Sequence, residues 1–146
     1  MKQNSAGRKD PPRKALHKVL FVCVGNACRS PMAEAWAKYH GRDKVEAHSA
    51  GMYPYGRIAG ETYDVMTERG ISLDGQCSKG LADVDAATMS VVVRMGPEVA
   101  FTPPEGFQGR ILEWEIPDPF GGSAETFRSV RDSIEQRVLG LLRALE

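Results

Sequence analysis

Residues 19–22, Val19-Leu20-Phe21-Val22, form a short, wholly apolar, β-branched-rich run, and Gly25-Asn26 then breaks it. A run of this kind reads as a strand buried on both faces, as in the interior of a parallel sheet. A helix start follows at Ser30-Pro31, with Ser30 placed as an N-cap, Pro31 in the first turn, and Met32, Ala35, Trp36 and Tyr39 at helical spacing on one face. That helix should end near His40-Gly41. Further strands are expected over 45–49, 89–94 and 110–116, with a helix over 60–69 closed by Gly70 and a terminal helix opened by Ser123. In the terminal helix Phe127, Val130, Ile134, Val138, Leu141 and Leu145 recur every three or four residues, which makes a core stripe. Strands alternating with helices predict the α/β class: a three-layer α/β/α arrangement, with a mostly parallel sheet of about four strands and helices on both faces. Ligands in such sheets bind beyond the carboxyl ends of the strands, which is where Cys23 falls.

The chain has 146 residues, the size of one domain, expected over 17–146. Ahead of it, residues 1–16 carry Lys2, Arg8, Lys9, Arg13 and Lys14 against Asp10 alone, with Pro11-Pro12 and little that is apolar; they read as a mobile basic tail. Nineteen basic and nineteen acidic residues leave no net charge to draw nucleic acid or an anionic membrane, so any attraction for anions must be local. The longest apolar stretch, 19–24, is far short of the roughly 20 residues of a membrane helix, and no signal-peptide pattern is visible. Three cysteines without a C-x-x-C pair suit a reducing compartment, and the expected location is the cytoplasm. His17, His40 and His48 have no metal-ligand spacing with the cysteines, and neither a metal nor a cofactor is expected.

Residues 23–30, Cys23-Val24-Gly25-Asn26-Ala27-Cys28-Arg29-Ser30, spell a C-x5-R-S loop between the strand and the helix. A phosphate dianion needs many converging donors, and a tight loop whose backbone N–H groups point inward supplies them, helped by the positive end of the following helix. Gly25 and Asn26 tolerate the unusual backbone angles of such a nest. Arg29 brings a planar fork able to grip two oxygens at once. The same field should hold the Cys23 sulfur as a thiolate at neutral pH, a nucleophile. Cys28 has two open roles, a packed side chain or a reversible disulfide partner of Cys23.

The string from Val19 through Cys23-Val24-Gly25-Asn26-Ala27-Cys28-Arg29-Ser30 to Pro31-Met32-Ala33-Glu34 resembles the signature of low-molecular-weight protein tyrosine phosphatases, which share their fold with thioredoxin-linked arsenate reductases. The resemblance continues from Lys18 to the C-terminus through Ser49-Ala50-Gly51, Gly70-Ile71 and Asp118-Pro119. It implies Cys23 as nucleophile, Arg29 as phosphate clamp, Asp118 as general acid, Asn26 and Ser30 as loop-stabilising or leaving-group donors, and Ser49 as support. It also implies Tyr55 and Phe120 as walls of a substrate cleft. Asp118 sits in Pro117-Asp118-Pro119-Phe120-Gly121-Gly122, a setting that equally suits a turn aspartate. Family members often carry a His near Gln76 that supports the loop, and its absence puts loop rigidity in question.

The expected activity is metal-independent hydrolysis of phosphotyrosine in proteins, or of small aryl phosphates, through a phosphocysteine, with inorganic phosphate as product. The alternative is thiol-dependent arsenate reduction. The related reductases use two further cysteines late in the chain, whereas the equivalent strand end here reads Val93-Arg94-Met95-Gly96-Pro97, and Cys77 is the only later cysteine. A non-catalytic phosphate-binding module is a third reading, and such a module would be expected to have lost Cys23, Arg29 or Asp118.

Overall fold

The structure, a computed structural model, describes residues 16–146. The basic tail expected over 1–16 lies, apart from Leu16, outside the described residues. In chain order the elements are β1 (His17–Cys23), α1 (Arg29–His40), β2 (Val45–Gly51), α2 (Gly60–Thr67), β3 (Val91–Arg94), β4 (Arg110–Glu113) and α3 (Ala124–Ala144). Two short 3-10 turns, Leu81–Asp83 and Ala86–Thr88, lie between α2 and β3. The strands form one parallel sheet in the order β2-β1-β3-β4.

β1 is an interior strand, which accounts for its unbroken apolar run: Val19, Leu20, Phe21 and Val22 are all fully buried. Val19, Phe21 and Cys23 face a layer of three α-helices, packing with Met32 and Trp36 of α1, Met66 of α2 and Phe127 and Ile134 of α3. Leu20 and Val22 face the opposite layer, where Leu81, Val84, Val99, Phe101 and Phe107 come from the 3-10 turns and the chain after β3. Full burial of a Phe, Ile or Met side chain contributes about 1.5–3 kcal/mol, so Phe21, Phe127, Ile134 and Met32 hold the helical layer to the sheet. The buried indole of Trp36 donates to the carbonyl of Arg131 at 3.2 Å and so ties α1 to α3 without an unmet donor.

The chain moves outward from β1 to β2 and must return past β1 to reach β3. Right-handed crossovers running in opposite directions use opposite faces of a sheet. The first carries α1 on one face, and the second runs through α2 on that same face before its 3-10 turns cover the other. The reversal opens a crevice at the carboxyl end of β1, and residues 23–30 occupy it.

Several boundaries depart from the sequence expectation. Arg29, not Pro31, begins α1, and the cap position is Cys28, with no side-chain bond. Ser30 is thus no N-cap; its hydroxyl is engaged inside the loop with Asn26 and Cys23. Tyr39, expected on the buried face of α1, is exposed, and its ring stands edge-on to Trp36. β4 ends at Glu113 rather than at 116, because β3 has stopped at Arg94 and the carbonyl of Ile116 turns toward Arg29. α2 ends at Thr67, and Gly70 closes it with φ +72°, while the N–H of Ile71 bonds back to the carbonyl of Met66 at 3.0 Å. Ser123 caps α3 as expected, accepting from the N–H of Thr126 at 3.1 Å.

Candidate active site

The carbonyl groups of the loop are tied to the outside. Cys23 O accepts from Met52 N at 3.1 Å, Val24 O from Tyr53 N at 2.8 Å, Gly25 O from Tyr55 N at 2.8 Å and Ala27 O from Ala59 N at 3.0 Å. Ser78 Oγ adds a second bond to Gly25 O at 3.1 Å, and Thr62 Oγ1 one to Ala27 O at 2.9 Å. In a trans peptide the carbonyl and the next N–H point in opposite directions, so the N–H groups of Val24, Gly25, Asn26 and Cys28 turn inward. The first N–H groups of α1 join them. Asn26 takes φ +49°, the positive value that lets the chain curl, and is the one non-glycine among the described residues to do so. Gly51, at the end of β2, lies against the loop: a Cβ there would stand 2.7 Å from Asn26 N and 2.8 Å from Val24 O, so any side chain would displace the nest.

A buried chain of polar groups leads to the Cys23 sulfur, and chemistry fixes its direction. The Glu34 carboxylate only accepts, so Ser49 gives it the hydroxyl proton over 2.5 Å. Asn26 Nδ2 then donates to Ser49 Oγ at 3.0 Å and to Ser30 Oγ at 2.8 Å, with the amide held in this orientation by Lys79 N–H on Oδ1 at 2.8 Å. Ser30 keeps its own proton, and Cys23 Sγ lies 2.9 Å away; when the sulfur is a thiolate, Ser30 is the donor of that pair. A hydrogen bond to a charged group contributes about 1.5–3 kcal/mol. Ser30→Ala is therefore expected to lower kcat by roughly 10- to 100-fold with little change in KM, as steady-state kinetics would show; an unchanged kcat would mean that the hydroxyl only packs.

Arg29 is almost wholly buried, with 1% of its side chain exposed. Its Nη1 donates backward, to Met95 O at 2.5 Å, Ile116 O at 3.0 Å and Glu98 at 2.8 Å. Nε is buried without any partner, and Nη2 stands 3.7 Å from Asp118 Oδ2, beyond hydrogen-bond length. The edge of the guanidinium formed by Nε and Nη2 is therefore free to grip an oxyanion. The Asp118 carboxyl is 46% exposed, and its Oδ1 accepts from Phe120 N at 3.1 Å. Tyr55 and Phe120 meet edge to face with ring centroids 5.1 Å apart. These groups surround a cavity of about 210 Å³ whose lining includes Cys23, Cys28, Arg29, Asp118, Tyr55 and Phe120. Burial pushes the Cys28 thiol up to about 12, helped by the charge of Asp118 and opposed by Thr62.

The structure thus brings together the predicted Cys23, Val24, Gly25, Asn26, Ala27, Cys28, Arg29, Ser30, Asp118, Tyr55 and Phe120, with Ser49 directly behind them. Gln76 stands where a supporting His was missed, and it does support the helix start: its Nε2 donates to Pro31 O at 3.0 Å. Sequence reading passed over Glu34, Thr62, Ser78 and Glu98. Glu34 lay in the recognised string, while the other three act through contacts 35, 53 and 69 residues away in sequence.

The sequence profile of the family described as low molecular weight phosphotyrosine protein phosphatase matches residues 18–146. The chain belongs to this family. Among its relatives, a glutaredoxin arsenate reductase of Synechocystis is 37% identical over 128 residues, covering 87% of this chain and 97% of the relative. An arsenate reductase of Bacillus cereus is 32% identical over 121 residues, covering 82% of this chain and 90% of the relative. A solved arsenate reductase in its phosphate-binding state superposes with a TM-score of 0.81 at 35% identity, covering 90% of this chain and all of the other. The tyrosine phosphatase Wzb of Escherichia coli, at 24% identity and a TM-score of 0.78, shares the fold. The family is one of enzymes.

Proposed function

We propose that the chain hydrolyses phosphomonoesters with aryl leaving groups, phosphotyrosine being the type, through a phosphocysteine at Cys23. The observation that carries this reading is the free edge of Arg29, a buried Nε without a partner facing a ring of inward N–H groups, with the Asp118 carboxyl at the mouth. The Cys23 thiolate attacks phosphorus as the ester P–O bond breaks, and Asp118 gives its proton to the leaving oxygen. Water then attacks the phosphocysteine, Asp118 takes the proton, and sulfur leaves as thiolate with Ser30 donating to it. Tyr55 and Phe120, in edge-to-face contact, offer an aromatic wall against which a flat ring can lie. The scheme uses no metal or cofactor, and free thiols fit a reducing compartment such as the cytoplasm.

Arsenate reduction is the second reading, and by relatedness alone it is the better supported, since the relatives above 30% identity named here are arsenate reductases. Its balance is one arsenate and two thiols giving arsenite, a disulfide and water. Cys23 would displace water from protonated arsenate, and a second thiol would attack Cys23 Sγ, releasing arsenic with the electron pair as arsenite. The strand end 93–97 supplies no thiol, and Cys77 is exposed on the segment beside the loop. Cys28 lines the cavity, but a thiol pushed up to about 12 is overwhelmingly protonated at neutral pH. An external thiol of the glutathione, glutaredoxin or thioredoxin class would then complete the cycle.

One purified sample separates the two. Phosphate release from p-nitrophenyl phosphate and a phosphotyrosine peptide is expected, while arsenate should provoke little NADPH oxidation in systems coupled through thioredoxin or through glutathione and glutaredoxin. Rapid arsenate-dependent oxidation with slow ester hydrolysis would reverse the order of the readings. Mild peroxide is expected to inactivate the enzyme reversibly by oxidising Cys23, with a Cys23–Cys28 disulfide following only slowly, since the raised Cys28 thiol must first lose its proton. Mass spectrometry that found Cys23 overoxidised and Cys28 a free thiol would count against that pairing.

A further inference from the structure

Glu98 lies on the turn after β3, outside the cavity and absent from every role assigned so far. Its carboxylate reaches Arg29 Nη1 at 2.8 Å although half of its own side chain is exposed. Nη1 carries two hydrogens, and the carbonyls of Met95 and Ile116 already accept from it. Glu98 is therefore not required to satisfy a buried donor. It adds a charged third anchor on the rear of the guanidinium.

The backbone makes room for that anchor. Gly96 has φ +140°, and a Cβ there would stand 2.4 Å from Glu98 Oε1 and 2.8 Å from Arg29 Nη1. The N–H of Val99 bonds to Gly96 O at 3.1 Å, closing the turn that folds Glu98 back toward the loop. Partial burial pushes the Glu98 carboxyl up, but a bond from its own backbone N–H together with Arg29 outweighs this and holds it below the usual carboxylate range. It is an anion throughout the neutral region. On the other edge of the same guanidinium, Nε has no partner and Nη2 has only Asp118 at 3.7 Å.

A guanidinium is planar, so fixing Nη1 fixes where Nε and Nη2 point. We propose that Glu98 is a positioning residue that holds Arg29 by its rear nitrogen so that the opposite edge is aligned for bidentate capture of the oxyanion. The inference deepens the reading of 23–30 as an oxyanion site and rests on it. A solvent-screened ion pair without that role would leave anion affinity unmoved.

The test is calorimetric titration of inorganic phosphate into the full-length wild type, Glu98→Ala and Glu98→Gln, beside steady-state hydrolysis of p-nitrophenyl phosphate. Glu98→Ala is expected to weaken phosphate binding about tenfold and to raise KM in parallel, with a smaller fall in kcat, because a misplaced clamp loses binding geometry first. Glu98→Gln keeps an acceptor oxygen for Nη1 and should stay within about threefold of wild type. Thermal melting of both variants, expected near that of wild type, checks that the fold is intact. Unchanged phosphate affinity in Glu98→Ala would make Glu98 a surface ion pair, and tighter binding would make it a competitor of the anion; either result overturns the proposal. So would Glu98→Gln being as impaired as Glu98→Ala. A wild type that bound no phosphate would instead overturn the oxyanion reading beneath it, while one that bound phosphate without hydrolysing esters would remove the phosphatase reading and leave Glu98 testable by affinity.

Discussion

Cys23→Ser is expected to lower turnover of p-nitrophenyl phosphate by on the order of 10⁴-fold or more, the scale seen when a covalent nucleophile is removed, while phosphate still binds within a few-fold of wild type. The serine hydroxyl would have only Ser30 beside it, a group that donates, and no base to remove its proton. The anion is held instead by inward N–H groups and the free edge of Arg29, neither of which the substitution touches. Kinetics and calorimetry on the same preparation separate the two effects. Substantial residual hydrolysis would remove Cys23 as the nucleophile, and lost phosphate affinity would show that the sulfur helps to shape the loop.

Asp118→Asn should have the next largest effect. An amide cannot give up a proton to a departing oxygen, and general acid catalysis is typically worth about 10²- to 10⁴-fold, so a fall in that range is expected for phenyl phosphate. p-Nitrophenolate leaves readily without help, and the loss there should be smaller. The basic limb of the pH–rate profile should flatten as well. Asp118 already has a turn bond, from Phe120 N–H to Oδ1, so a purely structural role is a definite competitor. That role predicts equal, small losses on both substrates with an unchanged profile. The acid would then have to be sought elsewhere, Asp74 and Asp83 being the next carboxylates to test.

The parts of the molecule legible in the sequence are those whose determinants are local. An apolar run with no polar interruption reports a strand covered on both sides, and the C-x5-R-S spacing places donor and nucleophile on one short curl whatever surrounds it. Asn26 belongs to this group, because its positive φ is an intrinsic tolerance of the residue type. Ser30 does not. By local pattern it resembles a cap; its role as a donor to the sulfur comes with the C-x5-R-S loop and the family resemblance, and the fold, by bringing Ser49 and Glu34 under Asn26, supplies the contacts that commit its hydroxyl. The end of β4 was hidden for the same reason: residues 114–116, Trp114-Glu115-Ile116, alternate apolar and polar as a strand does, but their pairing depends on where β3 stops and on a buried arginine that takes the carbonyl of Ile116. Glu98 has no local signature at all, since what makes it significant is a guanidinium 69 residues earlier.

The outward tethering of the loop carbonyls also bears on what the protein does between turnovers. Several N–H dipoles and a buried cation that converge on one point repel one another, so the vacant site is the less comfortable state of the molecule. Any tetrahedral dianion that enters relieves that repulsion and binds the native chain but not the unfolded one. At a hundred times its dissociation constant such a tenant would raise stability by about 2.7 kcal/mol. In a phosphate-rich medium the resting form would then be the occupied one. On the phosphatase reading, the product would be a conformational ally and a competitive inhibitor through the same contacts.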